Sequence, residues 1–398
     1  MKTITIIGGG NSAHVLIPLL SKTDMKINLL TRNPDIWANE IALDYLLPSG
    51  EYVDTYHGKI NRISSNPEDV IPDADIILLC MPVHACRLTL HRIAPFIGTG
   101  RKVFIGTVYG QAGFNWMTEE IIRKFSLDNI TIFAFGLIPW ICRTAEYGRK
   151  GIVYGAKPVN VAAVCPKEDF KVLNQMLFKK IVPDWFGHGS FQQAENFLSL
   201  TLSLDNQIIH TSRMFGLYLE EGGEWASEAS VPYFYKDFTA KSARILQNID
   251  EDYSLIRNRI KELHPDEGFT FMLDYLSLDN KTNLTTNGTI LESFLNSKTL
   301  GAIRTPVVLE NRKWVLDRKH RFFHDDIYYG LCIAKWFAQA LNLNVIHIDE
   351  ILKWAQQVLG TSIIDGDKLV IDDDPEKNLF KYGTPPSYGY SEIADMIQ

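Results

Sequence analysis

The feature that most constrains this chain is a glycine-rich turn close to its start. Residues Gly8–Ala13 directly follow the apolar run Ile4–Ile7 and precede a helical pattern. They fit G-x-G-x-x-A, in which Gly8 permits a tight turn, Gly10 lets the backbone approach a pyrophosphate, and Ala13 lets helix and strand pack closely. A strand, turn and helix in this order present the free N–H groups of a helix N-terminus to an anion. We therefore expect the chain to begin with a dinucleotide-binding unit. A glycine-rich turn without a ligand is the alternative.

The rest of the first half alternates short apolar runs with helical patterns such as Val15–Leu20 and Met117–Phe125. This alternation predicts an α/β fold with a parallel sheet covered on both faces, a doubly wound Rossmann domain. Ala162–Val164 is predicted to be a later strand of the same sheet. The other predicted strands are Ile4–Ile7, Ile27–Leu30, Ile76–Cys80, Val103–Ile105 and Ile130–Phe135.

From about Gln192 the pattern becomes helical, and it predicts an all-α C-terminal domain. We place the dinucleotide-binding domain at residues 1–190 and the helical domain, expected to bind substrate and carry catalysis, at 191–398. Ser277–Thr289 is predicted to be a surface loop, and Asp372–Pro386 an irregular surface crossing. The predicted helices are Phe197–Leu219, Asp237–Leu263, Asp325–Leu341 and Asp349–Leu359.

The type of nicotinamide cofactor depends on the end of the second strand. NAD enzymes carry an acid there, about 20 residues after the glycines, but Leu29–Pro34 contains none. Arg32 could instead pair with a ribose 2′-phosphate, so NADP(H) is favoured and NAD(H) stays possible. A solvated Arg32 and a Cys80 that is only strand core are the alternatives. The cofactor-binding candidates are Gly8, Gly10, Asn11, Ser12, Ala13, Thr31, Arg32, Cys80, Met81, Pro82 and Val83.

Two polar segments of the helical half could carry chemistry. Asn206 and His210 are four residues apart and share one face of an apolar helix. Histidine suits general acid–base work, although a lone buried histidine is more often structural. Further on, Arg321 could be a surface charge, and Asp325 or Asp326 could cap a helix or orient a catalytic histidine.

Composition and charge exclude several classes of protein. The chain of 398 residues has a net charge of −7 and no basic block, which argues against a nucleic-acid partner. Its five cysteines form no C-x-x-C pair, so we expect no metal site and no disulfide framework. We see no signal peptide and no run near the ~18 apolar residues of a membrane span. A cytoplasmic enzyme is the expectation.

Taken together, these segments resemble the octopine/nopaline dehydrogenase family of opine dehydrogenases over nearly the whole chain. Order and spacing agree, which makes the combination more specific than any one piece. The residues that carry the resemblance are Gly8–Ala13, Gly110–Phe114, Pro139–Arg143, Asn206 with His210, Tyr233–Tyr235, Asn248–Asp250 and Arg321–Ile327.

The resemblance implies an NAD(P)H-dependent oxidoreductase that joins an amino acid to a 2-oxo acid such as pyruvate and reduces the imine. It makes His210 the acid–base residue and Asp326 its partner, which would fix the imidazole tautomer and raise the pKa of His210. Arg321 would bind a substrate carboxylate, and Gln111 and Asn206 would contribute to the substrate site. The expected partners are these small molecules, and a homodimer is one possible assembly.

The sequence departs from the family at one place. Arginine-using members that resemble this stretch carry an acid near the Pro139–Trp140 pair, whereas Phe135–Ile138 has none. This argues against a guanidinium-bearing substrate. Two rival functions stay open: another two-domain dehydrogenase acting on a hydroxy acid or sugar phosphate, and a non-catalytic NADPH sensor. A sensor would not need His210 and Asp326 to meet.

Overall fold

The computed structural model describes residues 1–297, 303–370 and 383–397. Within them the strands are β1 Thr3–Ile7, β2 Lys26–Leu30, β3 Glu40–Leu46, β4 Tyr52–Lys59, β5 Arg62–Ser64, β6 Ile76–Leu79, β7 Val103–Thr107, β8 Ile130–Phe135, β9 Trp140–Glu146, β10 Lys150–Ala156, β11 Val159–Cys165, β12 Ser190–Gln193, β13 Glu224–Trp225, β14 Val307–Glu310, β15 Lys313–Leu316, β16 Ile364–Asp365 and β17 Lys368–Leu369.

The helices are α1 Asn11–Leu20, α2 Cys86–Ile93, α3 Phe114–Phe125, α4 Phe170–Leu173, α5 Lys179–Ile181, α6 Pro183–Phe186, α7 Phe197–Leu202, α8 Asn206–Glu221, α9 Ala240–Leu263, α10 Tyr275–Asn283, α11 Ile290–Leu295, α12 Arg321–Asp326, α13 Cys332–Ala340 and α14 Ile346–Leu359. A π-helical turn, Ile327–Leu331, joins α12 to α13.

The main sheet has eight strands in the described part of the chain. Their order is β12-β11-β8-β7-β6-β1-β2-β5, and only the β8–β11 pair is antiparallel. β1 is central and pairs with β2 on one side and β6 on the other, so the order reverses there. β1 and β6 are almost wholly buried, as expected for parallel strands with helices on both faces. The predicted doubly wound fold is confirmed.

A second sheet, of order β4-β3-β10-β9, packs on α1 and was not predicted. Its strands are too polar and too exposed for the apolar-run pattern: β4 has a single buried residue, Gly58. A Cβ at Gly58 would lie 2.5 Å from the Cα of Pro18, so glycine is required for this close approach to α1. The small sheet thereby covers one side of the helix that follows the glycine-rich turn.

The second half is helical, as expected, with a small antiparallel sheet, β13-β15-β14, added to it. The single helix predicted over Phe197–Leu219 is in fact two, because the chain breaks between α7 and α8. Asp205 at the break accepts a hydrogen bond from the N–H of Asn206, and an aspartate that caps a new helix competes with continuation of the old one.

One of the two predicted irregular segments differs from the structure, and the other lies mostly outside the described residues. Ser277–Thr289 is partly helical, because Asp274 accepts a hydrogen bond from the N–H of Ser277 and so caps α10. Much of Asp372–Pro386 lies outside the described residues. Beyond it, Tyr388 is 3% exposed and packs near Trp116, so the chain returns to the core at this point.

The predicted boundary between residues 190 and 191 stays a prediction. β12, Ser190–Gln193, spans it and pairs with β11 at the edge of the main sheet. A cluster of buried apolar side chains continues from the sheet into the helical half, for example from Ile105 to Phe197 and Ile208. The two halves therefore share a core, which fixes their relative placement around the cleft between them.

Candidate active site

The glycine-rich turn has the backbone that the sequence predicted. Gly8 has a φ of +104°, and a Cβ there would lie 2.5 Å from the carbonyl oxygen of Cys80. Helix α1 starts at Asn11 after Gly10, and no side chain caps it. The first N–H groups of the helix therefore have no side-chain cap among the described residues, and such free N–H groups are what a pyrophosphate binds. Ala13 is buried against the sheet.

The other cofactor candidates lie at the carboxyl ends of β2 and β6, on either side of β1. Thr31 is buried, and its N–H donates to the carbonyl of Ser64. Arg32 is exposed and forms no hydrogen bond or ion pair with any residue of the described ranges. Cys80–Val83 form the turn after β6. The Cys80 thiol is buried, and burial raises its pKa. The part of Cys80 that lies beside the glycine-rich turn is its backbone carbonyl.

A cleft of about 700 Å³ runs from the glycine-rich turn into the helical half. Asn11 and Ser12 line one end of it. Asn11 is held from the second sheet, since its Oδ1 accepts hydrogen bonds from the N–H and Oγ1 of Thr144. At the other end lie side chains from the helical half, among them Asn206, Tyr235, Arg304, His320, Arg321 and Phe322.

His210 and Asp326 meet, as the family resemblance implies. The Nδ1 of His210, on α8, lies 2.7 Å from the Oδ2 of Asp326, at the end of α12. Both side chains are buried, with exposures of 1% and 4%. The π-helical turn begins at the next residue, and such turns are frequent at functional sites. A non-catalytic sensor would have no need of this pairing.

The other nitrogen and the face of His210 are also in contact with protein. Its Nε2 lies 2.8 Å from the hydroxyl of Tyr235. Phe322 stacks on the ring, with centroids 3.7 Å apart and an angle of 23° between the planes. The imidazole is thus held at both nitrogens and on one face, so its orientation is set before any substrate arrives.

The expected rise in the pKa of His210 was wrong. Burial lowers the pKa of His210 well below its usual value, and the positive charges of Arg321 and His320 add to this. Burial also raises the pKa of Asp326, an effect that the nearby Arg321 opposes. The ring therefore rests in its neutral form, which is the form that can accept a proton.

The three predicted substrate residues have different surroundings. Arg321 is exposed in the cleft and has no hydrogen bond or ion pair to other described residues. Asn206 also lines the cleft. Gln111 is 0% exposed, and its amide donates to the carbonyls of Gly136 and Ser203. It is not among the described residues that line the cleft; its Oε1 accepts from the hydroxyl of Tyr109, which also lies 3.2 Å from the carboxylate of the cleft residue Asp205.

Tertiary packing brings further side chains to the cleft. Leu137 and Ile138, from the segment Phe135–Ile138 that lacks an acid, line it with apolar side chains. Asp205 and Asp279, which the sequence did not suggest as site residues, also line it, so the cleft is not free of carboxylates. Arg143 adds a cation from β9. Of these three charged residues, only Arg143 lay in a segment that carried the resemblance, Pro139–Arg143; the two aspartates are too far apart in sequence to suggest a common site.

Comparison with known proteins agrees with this geometry. Residues 193–359 match the family described as NAD/NADP octopine/nopaline dehydrogenase, alpha-helical domain. An opine dehydrogenase from Haliotis discus hannai is 28% identical, over 99% of this chain and 98% of its own length. The match therefore includes the glycine-rich turn as well as the helices.

The chain is thus similar to opine dehydrogenases over almost its whole length, and its helical half matches their family model. These similarities indicate an NAD(P)-dependent oxidoreductase that acts on CH–NH bonds, as predicted. An octopine dehydrogenase from Pecten maximus is 24% identical over 91% of this chain and 92% of its own. Octopine dehydrogenase solved with NADH and L-arginine has the same fold, with a TM-score of 0.82 at 21% identity over 100% of this chain and 98% of that one.

The described residues were also considered as membrane-spanning segments and as metal ligands. They contain no helix of the length and apolarity that crossing a lipid bilayer requires. The same residues hold no group of three or more His, Cys, Asp or Glu side chains placed to bind a metal ion.

Proposed function

We propose that this protein catalyses the reversible NAD(P)H-dependent condensation of an amino acid amine with a 2-oxo acid such as pyruvate. The amine attacks the carbonyl carbon, water leaves, and the resulting C=N bond is reduced to a secondary amine. The observation that carries the proposal is the buried His210–Asp326 pair, 2.7 Å apart. Tyr235 connects this pair to a cleft that is also lined by Asn11 and Ser12 of the dinucleotide loop.

We propose roles that match the chemistry of each group. Arg321 is a free cation in the cleft and suits a substrate carboxylate. His210, neutral and oriented by Asp326, can take the proton that the attacking amine loses and return it to the departing hydroxyl. The residues at the N-terminus of α1 suit the pyrophosphate of NAD(P)H, which supplies the hydride.

The cofactor preference is a finer proposal. Arg32 is exposed beside the end of β2, and Leu29–Pro34 contains no acid to bind ribose hydroxyls. We expect Arg32→Ala to raise the Michaelis constant for NADPH by about tenfold or more, as for a lost charge-assisted phosphate contact worth ~1.5–3 kcal/mol, with little change for NADH. Equal effects on both cofactors would contradict a preference for NADP(H).

The decisive experiment measures NAD(P)H oxidation with pyruvate and each of a panel of amino acids, with taurine and agmatine added. Oxidation that depends on the amine, with formation of a secondary amine seen by mass spectrometry, is the expected result. Oxidation with pyruvate alone would indicate a hydroxy-acid dehydrogenase instead. The panel also tests whether L-arginine is a poor substrate, a prediction that rests on Leu137 and Ile138 and that Asp205 and Asp279 could overturn.

A further inference from the structure

His210 has no open path of its own to the cleft in the described structure. It is 1% exposed, Asp326 occupies its Nδ1, Tyr235 its Nε2, and Phe322 stacks on one face of the ring. A substrate proton would therefore have to pass through a neighbouring group, or the neighbours would have to move apart.

Tyr235 lies between the histidine and the cleft. Its side chain lines the cleft, and its hydroxyl is 2.8 Å from the Nε2 of His210. Of the described residues that line the cleft, Tyr235 alone forms a hydrogen bond with His210. A phenol both donates and accepts a hydrogen bond, so it can receive a proton on one side as it releases one on the other.

The position of Tyr235 is fixed from the same helix that carries His210. Arg213, one turn further along α8, is 0% exposed, and its guanidinium donates to the carbonyls of Tyr233 and Phe234. The N–H of Phe234 also donates to the carbonyl of Ile303. These hydrogen bonds from a buried arginine hold the segment rigidly against α8. They thereby keep the hydroxyl of Tyr235 within hydrogen-bond distance of His210.

We propose that Tyr235 is a catalytic residue: its hydroxyl, rather than the imidazole of His210, exchanges the proton with the substrate, and Asp326, His210 and Tyr235 form a relay that ends in the cleft. This rests on the proposed function and names the atom at which that proton enters and leaves the protein.

The relay conserves protons and electrons. The ammonium group of the amino acid first loses a proton to the Tyr235 oxygen, and the phenol's own proton moves to Nε2 of His210. Asp326 then stabilises the imidazolium through Nδ1. As the free amine forms its bond to the carbonyl carbon, the C=O π pair moves to the oxygen, and a second proton passes from the nitrogen to that oxygen to give the carbinolamine. In dehydration the relay reverses: Tyr235 protonates the hydroxyl of the carbinolamine, Nε2 returns its proton to the phenol, and the C–O electron pair leaves with water as the nitrogen lone pair forms the C=N⁺ bond that the hydride reduces.

Charged groups on several elements act on the pKa of the Tyr235 hydroxyl. They are Arg321 and Asp326 from α12, Asp205 from the α7–α8 break, and Arg143 from β9. Burial raises the pKa of the phenol, and Asp205 and Asp326 act in the same direction against the two arginines. Tyr235 is therefore protonated at rest and transfers protons between the substrate and His210, while His210 carries the extra proton between the two steps.

The test compares Tyr235→Phe with Tyr253→Phe. Tyr253 is 1% exposed in α9, and its hydroxyl has no hydrogen-bond partner among the described residues, so its loss should be silent. We expect Tyr235→Phe to lower kcat by about 10²-fold, in the range of one lost acid–base group, with NAD(P)H affinity unchanged. The double variant with His210→Ala should be no slower than His210→Ala alone, since both act in one pathway.

Two further outcomes separate the relay from the proposed function. The first outcome is that the wild type shows amine-dependent activity and His210→Ala is slow, while Tyr235→Phe turns over at the normal rate. This would overturn the relay and leave the proposed function standing. The ¹⁵N signal of His210 Nε2 gives a readout that needs no turnover. It should shift in Tyr235→Phe and stay in place in Tyr253→Phe, and an unshifted signal in Tyr235→Phe would also overturn the relay.

Discussion

Two adjacent aspartates on α12 each bind a histidine, and the two pairs behave differently. Asp326 pairs with His210 inside the helical half, where both side chains are nearly fully buried. Asp325 pairs with His84, on the turn after β6, at 2.5 Å, but the His84 side chain is 48% exposed. The contact in each case joins an imidazole Nδ1 to a carboxylate.

The difference teaches that burial decides whether a carboxylate partner can raise the pKa of an imidazole. The hydrogen bond to Asp325 raises the pKa of His84, because half of the ring stays in water and the hydrogen bond outweighs the cost of burial. Burial lowers the pKa of His210 in spite of its carboxylate neighbour. One pair therefore joins the two halves of the molecule and becomes an ion pair when His84 is protonated, and the other holds a neutral base that can accept a proton.

The largest expected effect is a loss of turnover when the buried His210–Asp326 pair is changed. His210→Ala should lose at least ~10²-fold in kcat, as for one positioned acid–base group, with cofactor affinity nearly unchanged because the dinucleotide loop lies in the other half. Asp326→Asn should show a smaller loss of the same kind. Steady-state kinetics with saturating NAD(P)H measures both.

Asp325→Asn is the matched control for Asp326→Asn, since it removes the same charge from the neighbouring position of the same helix. We expect it to keep most of the turnover. If the two asparagine variants lose turnover equally, the charge of α12 as a whole matters more than the pairing with His210. Near-normal turnover in His210→Ala would remove the buried pair from the mechanism.

An intermediate effect concerns titration of the two histidines. The pKa of His84 is raised above 6.5, so its ring should take up a proton as pH falls through a midpoint above that value. The ring of His210 should still be neutral at pH 6.5. NMR of ¹⁵N-labelled histidine side chains, assigned with His84→Gln and His210→Gln, measures both midpoints. A His210 midpoint above that of His84 would contradict the comparison.

The smallest expected effect is on stability. A folded-state pKa above the unfolded value means that the His84–Asp325 pair stabilises the fold fully below about pH 6.5, and that this contribution is lost as pH rises through the folded pKa. For a half-exposed pair we expect no more than ~1 kcal/mol. The urea midpoint of His84→Gln should thus fall below wild type at pH 6 and match it at pH 9. A deficit that is the same at both pH values would point to lost packing instead.

The sequence alone determined the features that depend on neighbours along the chain. The glycine-rich turn, its positive φ at Gly8 and the helix that begins at Asn11 follow from residues within one short segment. The parallel strands were visible because strands buried on both faces are continuously apolar. Family resemblance then named His210 and Asp326, but it could not give the pKa of either.

Only the tertiary structure decided which groups share the cleft and how each one is charged. The polar strands β3, β4, β9 and β10 gave no apolar pattern, and they became visible only when paired over α1. Tyr235 meets His210 because Arg213 holds its segment against α8, a contact that no spacing in the sequence encodes. Desolvation depends on every atom packed around a group. For this reason the pKa of His84 is raised and that of His210 is lowered, although each has an aspartate at Nδ1.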